Sequence, residues 1–217
     1  MTNISDDEDI AAWFKYPHYR KWFNKLYVAE KFSYNCGPAG IPVPESGEYI
    51  VRPIINLAGM GIGARVMYLE VDEVTERIPA GYFWCEFFKG RHLSVDFVKE
   101  DGKWQQLNAY EGFNEKNDLT RFFKWKRVED RFDLPKCLKE LDIDRVNFEC
   151  IKDPKTNKIN IFEVHLRNGF DHMMKWNEIV PVFKGDPTRR EGYRYIKAEA
   201  SGYGYLLYPR IGYLVKL

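Results

Sequence analysis

Apolar residues alternate with polar ones, or form short runs, over much of the chain, and this pattern predicts β-strands. The strand candidates are EYIVRPII, ARVMYLEV, YFWCEFF, HLSVDFVKE and KWQQLNAY. Asp101-Gly102 separates the last two candidates and is typical of a hairpin turn. The order of these elements favours an α+β fold with mostly antiparallel sheet.

Helical spacing occurs near the N-terminus and once more in the second half. The apolar residues of the first helix are Trp22, Leu26, Ala29 and Phe32. Their spacing predicts one amphipathic helix, which ends at the helix-breaking sequence NCGP. The charged segment 114–145 predicts only a short helix at PKCLKELD, with Pro135 in its first turn. From residue 170 to Glu199 the sequence predicts irregular structure.

Two later segments, RVNFECI and INIFEVHL, show strict alternation and flank the turn DPKTNK, so they predict an antiparallel hairpin. One face of the hairpin is apolar. The residues of the other face are Asn147, Glu149, Glu163 and His165. If the hairpin is symmetric about Lys155, Asn147 lies opposite Glu163.

Two carboxylates and an amide on neighbouring strands are suitable oxygen ligands for Mg²⁺, which completes its shell with phosphates and water. A solvated sheet face with ordinary polar residues is the alternative interpretation of the same pattern.

Composition restricts the class of protein. The chain has 217 residues, is 45% hydrophobic and 30% charged, and carries a formal net charge of +1. This balance is typical of a globular protein and speaks against nucleic acid or a membrane surface as partner. No apolar run reaches the roughly 20 residues that span a bilayer, and the acidic N-terminus is unlike a signal or transit peptide. The four cysteines form no C-x-x-C pair, so reduced thiols and a cytoplasmic location are expected.

A basic residue and a glycine-containing loop follow one another at RPIINLAGMGIG. A cation and free backbone N–H groups at such a place are able to bind phosphate. The loop matches neither the Walker nor the Rossmann pattern, and glycines that merely turn the chain are the simpler interpretation.

The order of these segments resembles the ATP-grasp family. RKWFNKLYVAEKF, GIPVPESGEYIVRP and NLAGMGIG resemble the opening of that family, which has a helix with an Asp-Lys or Asn-Lys pair, a strand ending in a basic residue and Pro, and a flexible loop. CEFFKGRHLSVDFV resembles its middle segment, and VNFECI with NKINIFEVHLRNG resembles its closing strands. The resemblance runs from Tyr19 to Gly169. It implies an α+β fold of two lobes, with mostly antiparallel sheets, that close over ATP and Mg²⁺.

The resemblance also implies roles for particular positions. Arg52 stands in place of the usual Lys on the ATP phosphates, and His92 in place of a ribose-binding Glu. The flap glycines are Gly59, Gly61 and Gly63. The segment whose backbone meets adenine is Glu86, Phe87 and Phe88.

The remaining implied roles concern metal and catalysis. Glu163 matches a metal ligand, while Asn147 and His165 replace the usual Asp and Asn ligands. Neutral ligands weaken a site for Mg²⁺, and Glu149 is the compensating carboxylate. Arg167 matches the arginine that neutralises the transferred phosphate, and it is a catalytic candidate together with Arg52.

The implied function is that of an ATP- and Mg²⁺-dependent ligase, which joins a carboxylate to an amine-type nucleophile through an acyl phosphate. A non-catalytic module that binds a nucleotide or a partner on the same fold is the alternative, because of the substitutions at the metal and ribose positions. A single-stranded nucleic-acid binder is a third possibility, which the near-zero net charge disfavours.

The expected domain organisation has four parts. Residues 1–10 are a disordered acidic tail, 11–88 the N-terminal helix and smaller lobe, 89–183 the larger lobe with the metal face, and 184–217 a C-terminal extension packed on the core. The substrate side is open, is completed by another chain, or is supplied by the C-terminal extension, whose Arg and Tyr residues also fit a solvated edge. Those residues are Arg189, Arg190, Arg194, Tyr193, Tyr195, Tyr203 and Tyr205.

Overall fold

Four short helical segments are found in the computed structural model, which describes residues 9–57, 61–71, 77–115, 118–169, 176–197 and 210–217. They are α1 (Asp9–Lys15), a 3₁₀ helix (Pro17–Phe23), α2 (Lys25–Lys31) and α3 (Lys136–Lys139). In these described ranges no helix is both long and apolar enough to cross a membrane.

The strands form two sheets. The small sheet has the order β1-β4-β2-β3 and consists of β1 (Cys36–Pro38), β2 (Gly47–Pro53), β3 (Arg65–Leu69) and β4 (Tyr82–Glu86). The large sheet has the order β11-β12-β10-β7-β6-β5-β8-β9. Its strands are β5 (Arg91–Glu100), β6 (Lys103–Asn114), β7 (Phe122–Arg127), β8 (Arg145–Lys152), β9 (Ile159–His165), β10 (Glu178–Phe183), β11 (Tyr193–Lys197) and β12 (Arg210–Lys216). Neighbouring strands run antiparallel in both sheets, which confirms the expected α+β class.

The N-terminal helix is shorter than its spacing predicts. Pro17 begins the 3₁₀ helix, and a proline after α1 removes a backbone donor and ends the regular helix. Asn24 has an extended backbone, and its side chain accepts a hydrogen bond from the Tyr27 N–H at 2.9 Å, so it caps α2. Trp22 is nonetheless buried, as the apolar pattern requires.

The expected tail is also corrected. Asp9 and Ile10 belong to α1, and Asp9 is buried because it pairs with cationic side chains at the end of β9. Residues 1–8 lie outside the described residues.

Strands occur where the sequence predicted irregular or helical structure. β7 lies in the charged segment, where Trp125 is buried in the core while the neighbouring lysines are less buried. β10 and β11 lie in the segment expected to be irregular. Because β12 lies beside β10, strands on both sides of residue 184 belong to one sheet, so the expected boundary there does not divide the fold.

The β8–β9 hairpin is antiparallel, as predicted, but its register differs. Asn147 lies opposite His165, and Glu149 lies opposite Glu163. A bulge between Glu149 and Cys150 makes the hairpin asymmetric, so the expected pairing of Asn147 with Glu163 is wrong by two residues. A shift of two residues preserves the face, and the four polar residues remain on one side of the sheet.

Helix α2 packs against both sheets. Val28 is buried in the core of the large sheet together with Val146 and Phe148. Ala29 packs with Phe83 and Cys85 of the small sheet. This position places the N-terminal end of α2 beside β9, which is the edge strand of the large sheet.

Candidate functional site

The large sheet has one apolar face and one face with polar side chains near β9. Cross-strand pairs place Asp96 opposite Asn147, Asn147 opposite His165, and Glu149 opposite Glu163. Residues from β2, α1 and α2 approach the same place. We call the resulting group of side chains the charged cluster: Asp9, Lys25, Arg52, His92, Glu149, Glu163, His165 and Arg167.

Glu163 contacts two cations that come from other elements. The Lys25 ammonium donates a hydrogen bond to Glu163 Oε1, and Arg52 Nη1 lies 3.8 Å from Oε2. Arg52 Nη2 also donates to the Phe162 carbonyl at 2.8 Å. Lys25 is 6% exposed and Arg52 7% exposed, so their charges depend on these partners. Since Arg52 belongs to the small sheet and Glu163 to the large one, their contact joins the two sheets.

Glu149 is held by histidines. His92 Nε2 lies 3.0 Å from Glu149 Oε2, and His165 Nε2 lies 4.0 Å from Oε1. Burial opposes ionisation of Glu149, but the hydrogen bond and charge of His92, with His165 and Lys25, hold its pKa below the ordinary value. The His92 ring also packs against Phe122 and Phe162, with centroid distances of 4.6 and 5.2 Å.

Asp9 is bound by the two basic residues at the end of β9. His165 Nδ1 lies 2.9 Å from both carboxylate oxygens of Asp9. Arg167 Nε lies 2.9 Å from Oδ1, and Arg167 Nη2 donates to Oδ2 at 3.1 Å.

These contacts shift the pKa of Asp9 and the pKa of His165. Burial alone raises the pKa of Asp9, but the charges of Arg167 and His165 outweigh it and lower that pKa. Burial lowers the pKa of His165, and Asp9 outweighs this effect and raises it.

Asn147 supports the loop that follows β9. Its amide nitrogen donates to Ser94 Oγ and to Asp96 Oδ1, each at 2.9 Å. Asp96 Oδ1 also accepts from the Gly169 N–H at 2.6 Å. This network fixes the chain just after Arg167, so it orients the end of the strand.

The predicted metal ligands therefore come together on one face, but not as a ready metal site. Glu163 is already paired with the Lys25 ammonium, Glu149 lies within hydrogen-bond distance of His92, and Asn147 turns its amide nitrogen toward Asp96. Across the described ranges, no group of three or more His, Cys, Asp or Glu side chains is placed to hold a metal ion. In this arrangement the residues do not fit a resident Mg²⁺ ion.

The glycine loop of the small sheet touches the large sheet. Gly61 has φ of +54°, and a Cβ at this position would lie 2.2 Å from the Leu119 carbonyl oxygen in the loop between β6 and β7. Gly63 has φ of +82° and lies against the Tyr82 hydroxyl. Both positions therefore require glycine. Gly59 lies outside the described residues.

The segment expected to meet adenine runs from the end of β4 in the small sheet toward β5 in the large sheet. The Glu86 carboxylate accepts a hydrogen bond from the Asn35 N–H at 2.6 Å, and the Glu86 N–H donates to the Asn35 carbonyl at 3.0 Å. Phe88 packs edge-on against Tyr34 with a centroid distance of 4.7 Å, and Phe87 lies beneath the Lys89 ammonium. The proposed adenine contact of Glu86, Phe87 and Phe88 stays a prediction.

The arginine- and tyrosine-rich C-terminal segment lies elsewhere. An open groove beside β11 is lined in part by Arg189, Arg190, Tyr193, Arg194 and Tyr195. β11 is the edge strand opposite β9, so these residues are not part of the charged cluster. Tyr203 and Tyr205 lie outside the described residues.

Two members of the charged cluster were not identified from the sequence. Lys25 belongs to the Asn-Lys pair that carried the family resemblance, so a signal for it was present. Asp9 gave no such signal, because it stands in an acidic run, DDED, that looks like a solvated tail. The four cysteines are free.

No protein-family model matches the chain, and no curated protein matches it.

Solved structures do match. N5-carboxyaminoimidazole synthase from Aspergillus clavatus, in complex with ADP and 5-aminoimidazole ribonucleotide, is similar with a TM-score of 0.60 at 9% identity, over 91% of this chain and 69% of that chain. N5-carboxyaminoimidazole ribonucleotide synthetase from Thermus thermophilus gives 0.59 at 10% identity, over 91% and 68%. L-amino acid ligase from Bacillus licheniformis gives 0.53 at 12% identity, over 91% and 67%.

The chain thus spans about two thirds of the length of these structures, and nearly all of it takes part in the match. The matched enzymes are ATP-grasp proteins. Together with the two antiparallel sheets and the glycine loop between them, the match shows that this chain has the ATP-grasp fold.

Proposed function

We propose that the protein is an ATP-dependent ligase that joins a carboxylate to an amine. The observation that carries the proposal is the charged cluster, in which Arg52 of the small sheet meets Glu163 of the large sheet. The similar structures support it at the level of the fold, since two are synthases or synthetases and one is a ligase.

The proposed reaction has two steps. A carboxylate oxygen of the substrate attacks the γ-phosphorus of ATP, the bond to the β-phosphate oxygen breaks, and ADP leaves. The amine nitrogen then attacks the carbonyl carbon of the acyl phosphate, inorganic phosphate leaves, and the nitrogen loses a proton. Negative charge is spread over the phosphoryl oxygens throughout, so positioned cations provide most of the stabilisation.

Three cations of the cluster are proposed to provide that stabilisation. Arg52 and Lys25 are assigned to the ATP phosphates, and Arg167 to the transferred phosphoryl group. A guanidinium binds two phosphate oxygens at once, which suits Arg52 and Arg167 to these roles.

No step is assigned to a metal, because the proposed ligands Glu163, Glu149, Asn147 and His165 do not form a ready donor set here. ATP-grasp enzymes use ATP with magnesium, so the requirement is tested directly. ADP release is expected in buffer with Mg²⁺ and not in buffer with EDTA.

The assay measures ADP release across a panel of carboxylates and amines. We expect release with at least one pair, and a loss of at least 100-fold in Glu163→Gln, because that change removes the partner that orients Lys25 and Arg52. The matched control is Glu111→Gln, which removes a similar arginine contact (Arg91, 2.9 Å) outside the cluster and should keep activity. Equal ADP release by Glu163→Gln and the unmutated protein would contradict the proposal.

A non-catalytic nucleotide-binding module is the second candidate. It is favoured by the pairing of Lys25, Arg52 and Arg167 with carboxylates of the chain itself, which leaves these cations neutralised. Binding of ATP without ADP release for any pair of substrates would select this candidate.

A further inference from the structure

The carboxylate of Asp9 occupies a small anion site at the end of β9. Asp9 is 3% exposed, although it is the first residue of a surface helix. Its partners His165 and Arg167 are 156 and 158 residues away in sequence. A contact over such a distance in sequence is a feature of tertiary structure and not of local helix capping.

The geometry of this contact is that of carboxylate recognition. Arg167 approaches the two oxygens of Asp9 with two different nitrogens, at 2.9 and 3.1 Å. His165 Nδ1 lies 2.9 Å from each oxygen. Arg167 Nη2 donates a hydrogen bond and Arg167 Nε makes an ion-pair contact, and such a charged donor binds a carboxylate whichever molecule carries it.

The helix that brings Asp9 to this site is anchored to the rest of the protein from Ala12 onward. α1 has only seven residues, which is too short for a stable helix on its own. Ala12 is buried, Trp13 packs against Phe23 at a centroid distance of 5.6 Å, and the Trp13 carbonyl accepts a hydrogen bond from Arg20 at 3.0 Å. A movement of the first turn of α1 alone would therefore release Asp9 and leave these contacts in place.

The site adjoins the rest of the charged cluster. His165 uses Nδ1 for Asp9, and its other nitrogen, Nε2, lies 3.6 Å from Glu163 Oε1. Glu163 in turn contacts Lys25 and Arg52, which are assigned to the ATP phosphates. A carboxylate bound by His165 and Arg167 thus lies next to the proposed phosphate-binding cations.

We propose that His165 and Arg167 form the binding site for the carboxylate substrate, and that Asp9 fills this site as an internal substitute until the substrate displaces the first turn of α1. The assignment of the occupant as a substrate rests on the proposed function. The binding site and its internal competitor are tested without ATP, so a failure of ligase activity leaves this test unaffected.

The first test measures the affinity of the full chain for ¹³C-labelled acetate by NMR. Asp9→Asn removes the competing charge with little change in shape, and we expect acetate to bind at least tenfold more tightly than to the unmutated protein. Adding Arg167→Gln to Asp9→Asn should abolish this gain. The matched control is Asp130→Asn, which removes a carboxylate from Arg91 and Lys152 and should not create acetate binding.

The second test uses the unmutated protein and does not depend on any variant. Acetate should speed amide hydrogen exchange in residues 9–15, while methyl acetate, a neutral ester of similar shape, should not. If acetate leaves this exchange unchanged, or if Asp9→Asn binds acetate no more tightly, then Asp9 is a structural partner of Arg167 and the proposal is wrong.

Discussion

At the scale of single residues, the burial of a charged side chain determines how strongly its substitution destabilises the protein. Arg52 is nearly buried and contacts both Glu163 and the Phe162 carbonyl. We expect Arg52→Ala to lower the free energy of unfolding by about 2–3 kcal/mol, since it leaves buried acceptors without a partner. Arg52→Lys should lower the free energy of unfolding by about half as much, because it keeps the positive charge but loses the planar guanidinium group.

Urea unfolding at pH 7 measures these differences. The matched control is Lys89→Ala, which removes an exposed ion pair with Glu48 at 2.6 Å and should cost less than about 1 kcal/mol. A loss for Arg52→Ala no larger than the loss for Lys89→Ala would contradict the role given to burial.

The sequence predicted single residues well where they alternate along a strand. Asn147, Glu149, Glu163 and His165 were placed on one face by the period of two together with an assumed symmetric hairpin. Asp9 was missed because its partners lie more than 150 residues away, and an acidic run looks the same whether it is solvated or pairs with distant cations. The contacts of Lys25 were missed for the same reason, since Glu163 lies 138 residues away.

At the scale of elements, Asp130 links three parts of the large sheet. It follows β7, contacts Lys152 of β8, and lies 3.5 Å from Arg91 Nη1 of β5. The hydrogen bond from Lys152 and the charge of Arg91 outweigh partial burial and lower the pKa of Asp130. A carboxyl with a lowered pKa stabilises the fold above its unfolded pKa, about 3.9, and this stabilisation is lost as the pH falls through the folded value.

We therefore expect Asp130→Asn to be less stable than the unmutated protein at pH 7, with the difference shrinking steadily below about pH 4. Chemical unfolding at a series of pH values measures this. The exposed control Asp142→Asn should follow the unmutated profile. A difference that stays constant down to pH 2 would show that packing, and not ionisation, explains the effect.

Elements with strict alternation or a turn signal were predicted closely, and β5, β6, β8 and β9 are examples. β7 and β11 were missed because their lysines and arginines looked like those of solvated loops, although Trp125 of β7 and Ile196 of β11 pack in the core of the sheet. The single N-terminal helix was wrong because the spacing ignores Pro17 and the capping side chain of Asn24. The proline and the capping side chain, and not the apolar spacing, determine where these helices begin and end.

At the scale of the whole molecule, the two sheets meet at the glycine loop. A Cβ on Gly61 would collide with the Leu119 carbonyl, whereas Gly81 has a similarly positive φ of +82° and nothing within 4 Å. Gly61→Ala and Gly81→Ala therefore carry a comparable backbone cost of about 1 kcal/mol. Only Gly61→Ala also pushes the glycine loop away from the loop between β6 and β7. We expect faster hydrogen exchange in residues 118–121 for Gly61→Ala alone. Equal exchange in both variants would contradict this contact.

The charged cluster brings together distant parts of the chain: Asp9 and Lys25 contact residues 163–167. During synthesis, these early residues leave the ribosome long before their partners exist. Closing loops of 138 to 158 residues is entropically costly and slow compared with forming the local hairpins. The cluster is therefore expected to be among the last parts to form, and a chain released before residue 167 contains the small sheet and several strands of the large sheet but no assembled site.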